Sequence, residues 1–319
     1  LDDFVILKSD EMPTYPLAHI LDDAAMGVTH VIRGDEWISS TPRHLLIHQA
    51  LGIEPPEYVH VPLILGKDKA KLSKRHGATS ALEYRELGFL PGAVFNFICL
   101  LGWSPGDDTE VMPREEIVRR FSIDRINDSP ATFDAEKLEW MNGVYIRNMD
   151  EDDLISEMLP FMERPKAEGG LPDSVTRPID RDYLKRLIPL VHERLKLLTE
   201  GSETLDFFFD DNVNPSVEDL PGRKMDEAMT VQALEAALDL CKDASSFEPE
   251  HLEVEYRVLA HKIEMKPGQL FSPIRVAITG KTFAPPLFDT MSAIGRERCV
   301  ERIENALITL RSAVSTPTD

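Results

Sequence analysis

Cysteine is scarce in this chain. Three in 319 residues, Cys99, Cys241 and Cys299, stand far apart, and no Cys-x-x-Cys pair occurs. That leaves no disulfide framework and no zinc knuckle to build on. Each lies in an apolar or helical context, the setting of a buried free thiol in a reducing cytoplasm. Long apolar runs are scarce too. The longest, Ala93 to Trp103, falls well short of the roughly 18 residues of a membrane span and reads as a short buried helix. No secretory leader is visible at the start. Positive charge is in deficit, 35 Lys and Arg against 56 Asp and Glu, for a formal net charge of −21. A surface so acidic excludes nonspecific coating of nucleic acid, because phosphate repels it, but leaves open a nucleic acid held through local basic patches. What remains is ordinary: 42% apolar and 29% charged residues mark a globular protein with enough chain for two or three cored domains.

Against the acidic background one stretch reverses sign. From Lys67 to Gly77 the order is Lys-Asp-Lys-Ala-Lys-Leu-Ser-Lys-Arg-His-Gly, with five basic residues in positions 67–75. Bracketed by Gly66 and Gly77, it is expected to be a mobile loop that meets phosphate; a plain solvated charged loop is the alternative.

The chain opens on Leu1, and Phe4 to Leu7 has the look of a buried strand, which suggests a fragment with an upstream part missing. Apolar spacing predicts a helix from Leu17 to Met26, closed by Gly27, then a strand from Thr29 to Arg33 ending at Gly34-Asp35-Glu36. Ser40-Thr41-Pro42 predicts a hydroxyl-capped helix that Gly52 stops, and Val61 to Leu65 predicts a strand leading into the basic loop. This is half of a doubly wound α/β domain. Ser80 to Glu83 reads as a capping box. Helices are expected at 80–88, 91–102, 113–121, 134–142 and 150–162, a linker at 163–178, and helices at 180–200, 226–243, 249–264, 287–294 and 295–312. The proline-bearing stretches 201–225 and 266–287 read as connections.

The order Lys71-Leu72-Ser73-Lys74-Arg75 resembles the Lys-Met-Ser-Lys-Ser loop of class I aminoacyl-tRNA synthetases, in the variant of the bacterial-type glutamyl-tRNA synthetases. Pro13 to Asp23, Gly27 to Trp37, Ser40 to His44, Leu101 to Ser104, Phe133 to Leu138, Met265 to Gly268 and Pro285 to Phe288 are similar to successive signatures of that family. The resemblance implies an α/β plus all-α protein. Residues 1–76 would be the second half of a Rossmann-like catalytic domain, 77–150 a helical stem-contact region, and 151–319 a helical anticodon-binding body of two subdomains split near 200–225. It implies a glutamate–tRNA ligase: ATP-dependent activation of L-glutamate, with magnesium on the phosphates, then transfer to the 3′ end of tRNA-Glu, with tRNA-Gln left open. A cytoplasmic monomer is the family expectation, with no membrane partner and no protein-bound zinc.

Residue by residue, the resemblance implies that Arg33 holds the side-chain carboxylate of glutamate; a planar, permanently charged fork suits that task, and a salt bridge to Asp35 or Glu36 is the alternative. Tyr15 and Trp37 match pocket aromatics, with plain packing as the alternative. His19 matches a position where the family has asparagine, a departure in size and titration. Lys71 and Lys74 would stabilise charge on the phosphates as pyrophosphate leaves, a step that needs positioned cations rather than proton transfer. Leu72, Ser73 and Arg75 would shape that ATP loop, and Leu63, with Leu65, would frame the adenine. Arg186 and Arg275, with Pro285 and Leu287, match anticodon-reading positions, where arginine stacks on bases and donates to their edges; solvation is the alternative. His44 and His48, one turn apart, have the spacing of a metal pair, but Leu45, Leu46 and Ile47 between them supply no glutamate base, so no metal site is assigned. The paired acids Asp22 and Asp23 diverge around a helix and read as solvated or capping.

None of the nine histidines sits in a His-x-Gly-His sequence, which the family uses for the other half of the ATP site. The chain alone is therefore expected not to form the adenylate. Three rival readings are a noncatalytic tRNA-binding module derived from such a synthetase, a truncated paralogue that modifies a tRNA base, and a glutaminyl-tRNA synthetase. The length of the tail speaks against the second, and its helical pattern against the third.

Overall fold

The computed structural model describes residues 2–73, 80–222 and 224–314. The chain divides into two compact units, one of residues 1–86 and 90–141, the other of 87–89 and 142–319.

The first unit is built on a β–α–β turn of chain. Helix α1 (Tyr15–Met26) ends where Gly27 takes the left-handed conformation, φ 69°, which a side chain would strain. Strand β1 (His30–Gly34) follows, then a 3-10 turn (Asp35–Ser40), α2 (Thr41–Leu51) and β2 (Glu57–Val61). The two strands run parallel, with His30 opposite Glu57 and Arg33 opposite His60. A connection through a helix is what a parallel pair requires. The expected hydroxyl cap at Ser40 does not form, because the 3-10 turn runs into α2 and holds Ser40 in helical geometry. The predicted strand 61–65 is two strands: β2 ends at Val61 and β3 (Ile64–Leu65) starts a new parallel pair with β4 (Ala131–Thr132). Pro62, which has no N–H to give a ladder, stands at the break. The opening segment is not a buried strand. Val5 is 64% exposed, and Leu7 makes only a single bridge, to Pro13.

Helices α3 (Ala81–Glu86), α4 (Pro91–Gly102), α5 (Arg114–Arg120) and α6 (Ala135–Arg147) complete this unit, the division falling within α6. The capping box at α3 is made: the Leu82 N–H donates to Ser80 Oγ at 3.3 Å, and the Ser80 N–H to Glu83 Oε2 at 3.2 Å. Helix α4 is buried along one face only, through Ala93, Phe97 and Leu101, while Ile98 is 52% exposed. Cys99 on it is half-buried; Cys241 and Cys299 are buried, and all three are free thiols.

The second unit is helical: α7 (Glu151–Met162), α8 (Arg181–Val191), α9 (Glu200–Phe209), α10 (Glu227–Asp243), α11 (Pro249–Lys262), α12 (Pro267–Thr279), α13 (Leu287–Ile294) and α14 (Arg296–Val314). Asp150, Asp180 and Asp226 cap α7, α8 and α10 through their carboxylates. Four expectations fail here. The helix expected over 180–200 stops at Val191, and the connection expected over 201–225 opens inside α9. The connection 266–287 contains α12, whose Pro267 sits in the first turn where a missing N–H costs nothing. The linker 163–178 is a folded loop. The Arg177 guanidinium donates to the carbonyls of Glu163, Arg164, Leu171, Pro172 and Val175, and Leu171 is fully buried.

Candidate functional site

Arg33 sits near the carboxyl end of β1, the edge where open α/β sheets place their ligands. Its Nε donates to His60 Nε2 at 3.2 Å, one terminal nitrogen contacts His44 Nδ1 at 3.1 Å, and the other donates to Thr41 Oγ1 at 2.7 Å. The guanidinium carbon lies 4.6 Å from the Tyr58 ring centre and 5.8 Å from that of Trp37. Ladder register explains the arrangement. His60 is Arg33's partner across the parallel pair, and Tyr58, two residues before it, shares its face. Among the described residues no carboxylate comes within ion-pair distance of Arg33, so the salt bridge to Asp35 or Glu36 is not made. Glu36 instead lies 3.6 Å from Lys71 Nζ.

Around this cation the other expected residues gather. Tyr15 stacks on His19 at 4.7 Å and tilts against Trp37 at 5.2 Å; His19 meets His44 edge-on at 4.5 Å. His19 Nδ1 bonds the Tyr15 carbonyl at 3.0 Å, while its Nε2 is buried without a partner. His44 is 1% exposed, and burial, with His19 and Arg33 nearby, lowers its pKa to about 4. Burial and Arg33 lower that of His60 also. Both rings are thus neutral near pH 7, and an arginine, which only donates, fixes their tautomers: His60 carries its proton on Nδ1 and His44 on Nε2. His48 is buried beside Tyr58, whose hydroxyl is 3.4 Å from its Nε2. No group of three or more His, Cys, Asp or Glu among the described residues is placed to hold a metal.

Thr41, His44, Tyr58 and His60 were not anticipated in this site. Two signals were present. His60 and Tyr58 alternate on a strand, and His44 lies one turn from Thr41 at the start of α2, facing α1. Neither identifies a partner until β1 and β2 are set in register.

The basic stretch is described as far as Ser73. Residues 66–71 fold as a hairpin on β3: the Gly66 N–H donates to Ala70 O at 2.8 Å and the Leu72 N–H to Ile64 O at 2.9 Å, and Lys69 adopts φ 59°. Lys67 pairs with Glu136 at 2.7 Å, and that hydrogen bond raises its pKa. Lys71 reaches Glu36, whose carboxylate lies so close over Gly34 that a β-carbon there would overlap it. Leu63 and Leu65 are half-buried and Ser73 is exposed. Lys74 and Arg75 lie outside the described residues.

In the second unit Arg186 lies exposed on α8, its guanidinium 5.1 Å from the Tyr183 ring centre. Both line a cavity of about 310 Å³ with Pro249 and Asp289. Arg275, on α12, is half-buried; burial and the nearby Arg194 lower its pKa, and its Nε has no partner. Arg194, Lys281, Phe283 and Pro285 line a second cavity of about 270 Å³, and Arg194 donates to Ala284 O at 3.5 Å. Leu287 is 5% exposed and belongs to the core.

Residues 1–140 match the catalytic domain of class I tRNA synthetases (E and Q), and residues 153–307 match an anticodon-binding domain. The chain is 44% identical over 312 residues to a glutamate–tRNA ligase of Dehalococcoides mccartyi, covering 97% of this chain and 63% of that one. It is 46% identical over 314 residues to a glutamate–tRNA ligase of Roseiflexus castenholzii, covering 98% and 61%. It superposes on a glutamate tRNA ligase of Elizabethkingia meningosepticum, crystallised in complex with its amino acid, with a TM-score of 0.81 at 30% identity, covering 97% of this chain and 63% of that one. The chain thus spans about three fifths of the length of these relatives. A catalytic-domain match followed in order by an anticodon-domain match, on a mixed α/β unit followed by a helical one, places the chain in the glutamyl-tRNA synthetase family of class I aminoacyl-tRNA synthetases.

Proposed function

We propose that the chain is part of a glutamate–tRNA ligase. In the reaction of the whole protein, a carboxylate oxygen of L-glutamate attacks the α-phosphorus of ATP and pyrophosphate leaves. A hydroxyl of the terminal adenosine of tRNA-Glu then attacks the activated carbonyl and AMP leaves. The observation that carries this reading is Arg33, a cation in an aromatic-walled site, hydrogen-bonded only to neutral groups, with no acid of the protein within ion-pair distance among the described residues. Such a group favours a ligand bearing a carboxylate. Tyr15, His19 and Trp37 complete the wall. Lys71 and Lys74 stabilise the phosphates as charge builds on the leaving pyrophosphate, with Leu63, Leu72, Ser73 and Arg75 around the nucleotide. Magnesium accompanies the nucleotide, held chiefly by its phosphates.

Residues 1–76 then belong to the catalytic domain, 77–150 lie under the acceptor stem, and 151–319 meet the anticodon through Arg186, Arg275 and Pro285, Leu287 being buried in the core. The protein works as a cytoplasmic monomer. The test is binding of the chain to a tRNA-Glu transcript, to the same transcript with its anticodon changed, and to tRNA-Gln, over a salt series. Affinity is expected to fall with salt and to drop several-fold on the anticodon change. If a folded helical chain binds none of the RNAs, the assignments at Arg186 and Arg275 fail. Because the sequence holds no His-x-Gly-His, the chain by itself is expected to give no glutamate-dependent exchange of pyrophosphate into ATP; measurable exchange overturns that.

A further inference from the structure

We propose that Thr41, His44 and His60 are positioning residues for Arg33, a clamp of neutral acceptors that aims the guanidinium while leaving its charge uncompensated, so that the site prefers a carboxylate to the matching amide. The inference rests on the glutamate reading above and names what enforces its selectivity.

Three observations converge on it. First, each nitrogen of the guanidinium has its own partner: Nε has His60, and the terminal nitrogens have His44 and Thr41. Of the five N–H donors of an arginine, two remain, one on each terminal nitrogen. Secondly, the partners come from two different elements, α2 and β2, and are themselves tied. Thr41 Oγ1 donates to the Trp37 carbonyl at 3.1 Å, and His44 is packed between α1 and α2 against His19. The rotamer of Arg33 is fixed from both sides. Thirdly, none of the three acceptors is an acid. A carboxylate at any of these places would hold the arginine as firmly but would cancel its charge, and a charged ligand would then gain little over a neutral one. Burial keeps both imidazoles from protonating, which would otherwise remove their acceptor lone pairs.

The clamp makes a specific demand on atoms. His60 accepts through Nε2 and His44 through Nδ1. Glutamine presents its carbonyl oxygen about where Nε2 lies, and asparagine about where Nδ1 lies. So His60→Gln and His44→Asn keep an acceptor in place, whereas His60→Asn and His44→Gln put it at the wrong reach.

The experiment has two arms on the full chain. In the first, the chain is labelled with nitrogen-15 histidine and the tautomers are read from long-range proton–nitrogen correlations. His60 Nε2 and His44 Nδ1 are expected unprotonated at neutral pH; a proton on either overturns the clamp. In the second, binding of L-glutamate and L-glutamine is titrated calorimetrically. The wild-type chain is expected to favour glutamate by more than about tenfold. His60→Glu is expected to bring the two within about threefold, because it supplies the missing counter-charge. His60→Gln is expected to keep more of the preference than His60→Asn, and His44→Asn more than His44→Gln. Equal preference across all the variants overturns the inference, and the glutamine and asparagine pairs decide it even if His60→Glu fails to fold. If the wild-type chain takes neither amino acid while the tautomers are as stated, the glutamate reading fails for this chain and the neutral clamp is upheld.

Discussion

Arg302 and Arg33 show two opposite uses of one side chain. Arg302 on α14 is 3% exposed, and burial lowers its pKa to about 10. Its fork donates to the carbonyls of Phe207 and Asp210 at the end of α9 and of Ile278 near the end of α12, at 2.7–2.8 Å. Helix C-termini carry orphan carbonyls and a partial negative charge, so one buried cation serves two of them. Arg302→Met would strip all three carbonyls of their donor. A loss of roughly 3 kcal/mol or more is expected in urea unfolding, with Arg302→Lys in between, because an ammonium cannot span both helix ends. His44 gives a pH prediction. Its folded pKa of about 4 lies below the free value of 6.5, so between those values the unfolded chain binds more protons. The contribution of the neutral ring is complete above about pH 6.5 and is lost as pH falls toward 4. Thermal midpoints measured across that window should slope downward with acid for the wild type and less steeply for His44→Asn.

At the scale of elements, the segment between α7 and α8 is gathered around one side chain, with Asp173 and Glu163 accepting from the Lys166 and Ile179 N–H groups and Leu171 buried. Five carbonyls converge on the Arg177 guanidinium. Arg177→Ala should leave the helices intact and raise proteolytic cleavage and amide exchange between 163 and 179 by an order of magnitude, about what the loss of one or two charge-assisted bonds allows. The same segment shows where sequence reading stops. Its Pro, Gly and charge have the composition of a linker, and nothing local says that one arginine will gather it. Helices with a periodic face and an acidic cap, such as α7 and α10, were legible to within a residue or two. Prolines misled in α12, where Pro267 starts a helix and Pro273 is carried inside one. Strand ends misled at Pro62, where the ladder changes partner. In the candidate site, the residues carried by sequence signatures, Tyr15, His19, Arg33 and Trp37, do come together. Those that hold Arg33 do not belong to any short motif, because Thr41, His44 and His60 meet it only through the pairing of β1 with β2 and the packing of α2 on α1.

For the whole molecule, the formal charge of −21 sets the conditions under which any polyanion is met. Local cations must overcome a repulsive field, so association with RNA should be slow at low salt by the standard of basic RNA-binding proteins and should lack their nonspecific background. Competition with a large excess of unrelated RNA is therefore expected to weaken binding of a tRNA-Glu transcript little; loss of most of the signal would contradict local recognition. The field also shapes the basic hairpin. Lys67 and Lys71 already hold anions of the protein, Glu136 and Glu36. A phosphate chain arriving there displaces those carboxylates and sheds its own condensed cations, while the freed carboxylates draw cations back. One ion pair replaces another, and the net release of small ions is smaller than the number of lysines engaged. A plot of log affinity against log salt will undercount the contacts made at this hairpin, and will count them more fully once Glu36 is replaced by glutamine.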